Sequence, residues 1–177
     1  NKSTYEWFVS NPINNYNISV QIGNYIAVQD TFIKNDTIHN MNHYVLDYNE
    51  QLASNYFTQS KEVIRFYEKY FGDYQWYEDG YKLIEVPYLG MEHQSAVTYG
   101  NGFSIYNGVR SKSWPMYGVI DPLIIHETGH EWFGNSVTAS DPTHIWIHEG
   151  LQVYSESIYF EDKFKSCLLY TSDAADD

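Results

Sequence analysis

The run His126-Glu127-Thr128-Gly129-His130, with eighteen residues between His130 and Glu149, constrains the fold of this chain more than any other feature. Two imidazoles four positions apart share one face only on a helix, where four residues advance about 6 Å along the axis. Both rings then reach a single cation, and Glu127 stands beside them, close enough to hold a water on the same ion. The flanks support a helix at this place. Asp121-Pro122 supplies an N-cap acceptor and a proline at the first helical position. Leu123, Ile124 and Ile125 make the first turn apolar, as a buried helix requires, and Gly134-Asn135 reads as a stop. Gly129 inside the helix costs about 1 kcal/mol relative to Ala, which implies close approach of another backbone.

The third ligand demands a second helix. Asp141-Pro142-Thr143 reads as a turn, and residues 145–161 follow with helical patterning. Glu149, Gln152, Val153 and Glu156 fall on one face of that helix, because seven residues return almost to the same angle. His126, His130 and Glu149 together hold one Zn2+ and leave a fourth tetrahedral position open, the mark of a catalytic rather than a structural site. Glu127 is then the general base toward a water that the metal acidifies. Glu156 lies two turns beyond Glu149. It is read either as the acceptor of a ring N–H from a metal-bound His, or of another polar neighbour, or as a solvated carboxylate. Glu131 and Glu161 read as surface charges, His148 as a packed or hydrogen-bonded residue, and His144 as exposed.

These residues resemble the gluzincin aminopeptidases, the family of aminopeptidase N and leukotriene hydrolase. Trp132-Phe133-Gly134-Asn135 after the second His, and Trp146-Ile147-His148-Glu149-Gly150 around the Glu ligand, agree with that family. Upstream, Gly90-Met91-Glu92-His93 resembles its Gly-x-Met-Glu-Asn signature, with His93 where Asn is usual, and 33 residues separate Glu92 from His126. The resemblance implies that Glu92 binds the free α-amino group of a peptide substrate, while Gly90 and Met91 offer main-chain groups to its backbone. A carboxylate at the closed end of a cleft pairs with an ammonium, and a blocked terminus would leave it buried and unpaired. The stretch 81–99 is β-prone but broken by Pro87 and Gly90, so it reads as a sheet edge to which an extended peptide can add.

The resemblance also shows what is missing. The family stabilises the oxyanion with a Tyr several tens of residues beyond its Glu ligand, and Tyr154 and Tyr159 lie too near Glu149 for that role. The chain is therefore expected to be an internal fragment, inactive by itself. Its last residues, 167–177, resemble the translation of a sequencing adapter and are set aside from fold reasoning. Three readings compete with an aminopeptidase. A thermolysin-like endopeptidase shares the metal chemistry without amine recognition, an epoxide hydrolase of the leukotriene hydrolase kind is another activity, and a zinc-binding module without catalysis is a different class.

Composition sets the frame. With 177 residues, 43% of them hydrophobic and 18% aromatic, the chain can bury a core. No apolar run approaches the eighteen residues needed to span a membrane. A net charge of -13, three Asp of it in the tail, disfavours nucleic acid and favours cationic partners such as peptide amino termini. The only Cys is Cys167 in that tail, so no disulfide is expected, and the compartment stays open among periplasmic, secreted and cytoplasmic. The fold class is α+β: the front portion of a thermolysin-like zinc peptidase domain, preceded by the last strands of a β-sandwich. Residues 1–43 are assigned to that sandwich and 44–166 to the partial catalytic domain. Alternating Ile18, Val20 and Ile22 would pair with residues 25–28 around Gly23-Asn24. One helix is expected over 50–71, with Leu52, Tyr56, Val63, Tyr67 and Tyr70 as its stripe and Gly72 as its end. Residues 100–118 read as a loop.

Overall fold

A computed structural model of the chain describes residues 3–103 and 120–164. Its first long element is a hairpin, β1 (Tyr25–Lys34) and β2 (Thr37–Leu46), paired antiparallel from Tyr25↔Leu46 to Lys34↔Thr37. Asn35 and Asp36 form the two-residue turn with φ of 47° and 61°, the left-handed backbone that such a turn needs and that Asn and Asp tolerate. The expected hairpin around Gly23-Asn24 is not formed. Residues 18–22 carry no strand, and Ile18, Val20 and Ile22 are 67%, 80% and 92% exposed. Alternation identifies a strand-like segment but not its partner, and the ten-residue ladder closed by Asn35-Asp36 outcompetes the shorter one.

The hairpin continues into a five-stranded mixed sheet of order β1-β2-β3-β5-β4. β3 (Lys82–Glu85) runs parallel to β2, β5 (Ala96–Tyr99) parallel to β3, and β4 (Gly90–Met91) antiparallel to β5 at the edge. The edge expected near Gly90 is thus present. Residue 43, near the boundary expected from the sequence, lies in β2.

On β2, Met41, His43 and Val45 point into the core at every second position. His43 accepts a hydrogen bond from the Leu83 main-chain N–H at 2.9 Å through Nδ1. Burial lowers its pKa to about 4. An unfolded chain therefore takes up a proton near pH 6.5 that the folded chain refuses until about pH 4. The stability linked to His43 is complete above pH 6.5 and drains away as pH falls toward 4, a loss of about 3 kcal/mol at most. Chemical denaturation between pH 7 and 4.5 should show that slope in the unaltered protein and a flatter one in His43→Gln, which keeps an acceptor but does not titrate.

The single helix expected over 50–71 is two helices, α1 (Glu50–Tyr56) and α2 (Gln59–Phe71). Adjacent Tyr56 and Phe57 explain the break. Neighbours on one helix point about 100° apart, yet both rings are fully buried here, packing on Phe103 and Tyr99 respectively with centroids 5.2 Å apart in each case. Gly72 ends α2 with φ 93°, as expected. Along the predicted stripe Tyr56, Val63 and Tyr67 are buried and Tyr70 is half exposed.

The last two α-helices among the described residues are α3 (Pro122–Gly129) and α4 (Trp146–Phe164). Asp121 caps α3, accepting from Leu123 N–H at 2.9 Å, and its buried carboxylate also accepts from the Tyr56 and Tyr99 hydroxyls at 2.5 and 2.7 Å. α3 does not reach the expected stop at Gly134. Beyond Gly129 the chain first tightens, with Glu131 N–H on Thr128 O and Trp132 N–H on Gly129 O, and then widens into bonds from residue i to i−5, with Asn135 N–H on His130 O and Ser136 N–H on Glu131 O. The expected loop over 100–118 lies largely, and the tail over 167–177 wholly, outside the described residues.

Candidate metal centre

α3 and α4 bring together the three side chains that the spacing selected. His126 Nε2 and His130 Nε2 lie 3.1 Å apart, and the Glu149 Oε2 oxygen is 3.6 and 3.7 Å from them. A triangle with these sides has a common point about 2 Å from each corner, the length of a zinc–nitrogen or zinc–oxygen bond. The rings are turned to suit a cation. His126 Nδ1–H donates to Glu156 Oε1 at 2.6 Å, and His130 Nδ1–H donates to the Phe133 carbonyl at 2.9 Å. Each ring therefore presents the lone pair of Nε2 to the shared point. Two lone pairs and a carboxylate oxygen converging there repel one another unless a positive charge lies between them, so the donor set fits Zn2+.

Electrostatics follow from burial and these contacts. Burial opposes charge on His126, but the hydrogen bond and negative charge of Glu156 outweigh it and carry the imidazole to about 8. His130 is lowered by burial and by the neighbouring His126. Glu127 is raised to about 8, first by burial, with Glu92, Glu149 and Glu156 adding negative charge. Glu149 stands on the open side of the centre, its side chain half exposed.

The upstream motif arrives at the same place. Glu92, Glu127 and His130, all buried, offer ligand-type atoms within 4.8 Å of one another. Gly90 packs so closely on Glu127 that a Cβ there would lie 2.9 Å from its Oε1 and 3.0 Å from the Thr98 carbonyl. His93, standing where the motif's Asn is usual, is buried beside Glu92, and burial lowers its pKa.

A polar layer behind the centre sets the two helices against each other. Gln152 Nε2 donates to the Tyr67 hydroxyl and Tyr67 pairs with Ser155, both at 2.8 Å. Gly129 admits this layer, for a Cβ there would sit 2.1 Å from the Tyr67 oxygen and 2.2 Å from Gln152 Oε1. The close approach expected at Gly129 is thus made by side chains rather than by another backbone. Val153, assigned to the same face, is 52% exposed, because the buried stripe is centred on Gln152.

Several residues fall elsewhere than expected. Glu131 is not a surface charge. It is buried, accepting from Ser95 N–H at 2.7 Å and from Asn135 Nδ2 at 3.1 Å, and burial raises it to about 8. Asn135, read as a helix stop, is a buried hub. Its only sequence signal is its place in Trp132-Phe133-Gly134-Asn135. Glu161 and His144 are exposed, and His148 is buried and accepts from Ala139 N–H at 2.9 Å, all as expected.

A mixed α+β domain with a metal-competent His-His-Glu triad on adjacent helices defines a metallopeptidase domain of the zincin class. The model of the Peptidase family M1 domain matches residues 55–175, and the chain belongs to that family. Endoplasmic reticulum aminopeptidase 2 of Homo sapiens is 33% identical over 106 residues, covering 56% of this chain and 10% of the relative. Probable aminopeptidase 1 of Saccharolobus solfataricus is 30% identical over 98 residues, covering 54% and 12%. An M1 zinc metallopeptidase from Deinococcus radiodurans shares the fold, with a TM-score of 0.63 at 18% identity over 85% of this chain and 32% of that one. The chain thus spans about a tenth of the length of these curated relatives. Among the described residues no helix is long and apolar enough to cross a membrane.

Proposed function

We propose that this chain carries the metal-binding part of a zinc aminopeptidase that removes residues from peptides with a free amino terminus. His126, His130 and Glu149 would hold the ion, and Glu156 fixes the ring of His126. Bound zinc supplies Lewis acidity, polarising a carbonyl and bringing the pKa of water toward neutrality. Glu127 would take a proton from the attacking water and return it to the departing amine. Glu92 pairs with the substrate ammonium, and the main-chain groups of Gly90 and Met91 align the peptide along the β4 edge.

The observation that carries this reading is the convergence of Glu92 on Glu127 and His130. A terminal ammonium held by Glu92 leaves room for one residue before the scissile carbonyl. The test compares hydrolysis of an aminoacyl anilide by the zinc-loaded full-length protein with that of its N-acetyl form. The free amine should be preferred on the order of a hundredfold or more, since blocking it strands a buried carboxylate. Equal rates would point to an endopeptidase and remove Glu92 from its role.

A further inference from the structure

Asn135 uses its whole hydrogen-bonding capacity at one junction. Its Nδ2 donates to the Glu92 main-chain carbonyl at 2.9 Å and to Glu131 Oε2 at 3.1 Å. Its Oδ1 accepts from Asn17 Nδ2 at 2.9 Å and from the Tyr16 hydroxyl at 3.4 Å. Two donors and two acceptors are all that a carboxamide has, and the pattern fixes which end is oxygen. The main-chain N–H of Asn135 meanwhile holds the carbonyl of the candidate ligand His130 at 2.9 Å. One side chain therefore joins three pieces of chain remote in sequence: the turn at Tyr16-Asn17, the strand end bearing Glu92, and the end of the helix bearing both His.

We propose that Asn135 is a positioning residue for amine recognition, setting the main chain of Glu92 at a fixed distance from the metal helix. The inference rests on the aminopeptidase reading, in which Glu92 meets the substrate ammonium. Asn135 touches no substrate and acts through Glu92. An ammonium clamped between the metal side and Glu92 tolerates little drift of that carboxylate, because misplacement of a positioned group by about 1 Å costs on the order of a hundredfold in rate. Only a carboxamide serves this junction. Asp would turn a lone pair toward the Glu92 carbonyl and the Glu131 carboxylate, and an aliphatic residue would leave both unsatisfied. Tyr16 closes the far side, its phenol held above the ordinary range by burial and then by the negative charge of Glu92.

Calorimetry on the zinc-loaded protein, titrated with leucinamide and with N-acetyl-leucinamide, tests this directly. Asn135→Ala should weaken leucinamide binding about tenfold, the size usual for an outer supporting group, while leaving the N-acetyl ligand unchanged and one zinc bound per chain. In turnover by the full-length protein KM should rise with kcat nearly constant. In a Glu92→Gln background Asn135→Ala should add nothing for leucinamide. A loss equal for both ligands, or one undiminished in that background, would overturn the proposal. Where Asn135→Ala does not fold, Asn17→Ala, which removes the 2.9 Å donor to Asn135 Oδ1, should give a smaller loss of the same selectivity, and unchanged selectivity there would count against it. Should the unaltered protein bind both ligands alike, the aminopeptidase reading fails and this inference with it. Should it prefer the free amine while Asn135→Ala keeps that preference, only this inference fails.

Discussion

In the full-length protein Glu127→Gln is expected to retain one zinc per chain and to lose on the order of a thousandfold or more in kcat, the scale of a general base removed from a hydrolytic site. The two effects separate because Glu127 is not one of the three converging donors: those are His126 Nε2, His130 Nε2 and Glu149 Oε2. Gln matches Glu in shape and still donates or accepts one hydrogen bond, so the pocket beside Gly90 stays filled. What it lacks is the capacity to take up a proton and give it back. In the metal-free site burial and the surrounding carboxylates raise Glu127 to about 8. Metal analysis and turnover on the same sample decide the matter. Turnover within tenfold of the unaltered protein would assign the proton to another group.

Gly129→Ala is the second large effect, and it acts on structure. Ala is the better helix former by about 1 kcal/mol, so on an open helix face this change would stabilise. Here the new methyl would lie 2.1 Å from the Tyr67 hydroxyl oxygen and within 2.3 Å of both polar atoms of the Gln152 amide. Neither side chain can step aside without breaking buried hydrogen bonds among Tyr67, Gln152 and Ser155. Overpacking and unsatisfied polar groups together outweigh the helix gain, for a net loss of about 2 kcal/mol or more. Pushing Gln152 also moves α4, and Glu149 with it, so zinc affinity should fall as well. Urea denaturation and a competitive zinc titration measure the two losses. Adding Tyr67→Phe, which removes one of the clashing oxygens, should restore part of each, and a denaturation midpoint at or above that of the unaltered protein would contradict the packing argument.

The parts of this molecule that were legible in the sequence are those where local spacing is also spatial placement. His126 and His130 are one helical turn apart whatever surrounds them, and Asp121-Pro122 opens that helix by local chemistry alone. The turn before α4 and the terminator Gly72 belong to the same kind. What stayed hidden depends on partners distant in the chain. Glu131 looks like any helix carboxylate until the tertiary fold brings the Ser95 main chain against it. Asn135 has no local signature for four partners drawn from Tyr16, Asn17, Glu92 and Glu131. The division of α1 from α2 was missed because a periodic stripe records which residues prefer burial, not that Tyr56 and Phe57 both achieve it. The misplaced N-terminal hairpin has a related cause, since a turn residue pair competes with every other turn along the chain.

The edge strand β4 is only two residues long, Gly90 and Met91. Two residues span about 7 Å, too little ladder for another chain to grow a sheet from, so the exposed rim carries small risk of aggregation. The same brevity means that main-chain pairing lends a guest peptide little adhesion. Under the proposed aminopeptidase reading most of the grip would come from the charged end of the guest, and a long polypeptide should gain almost nothing over a dipeptide by lying along this rim.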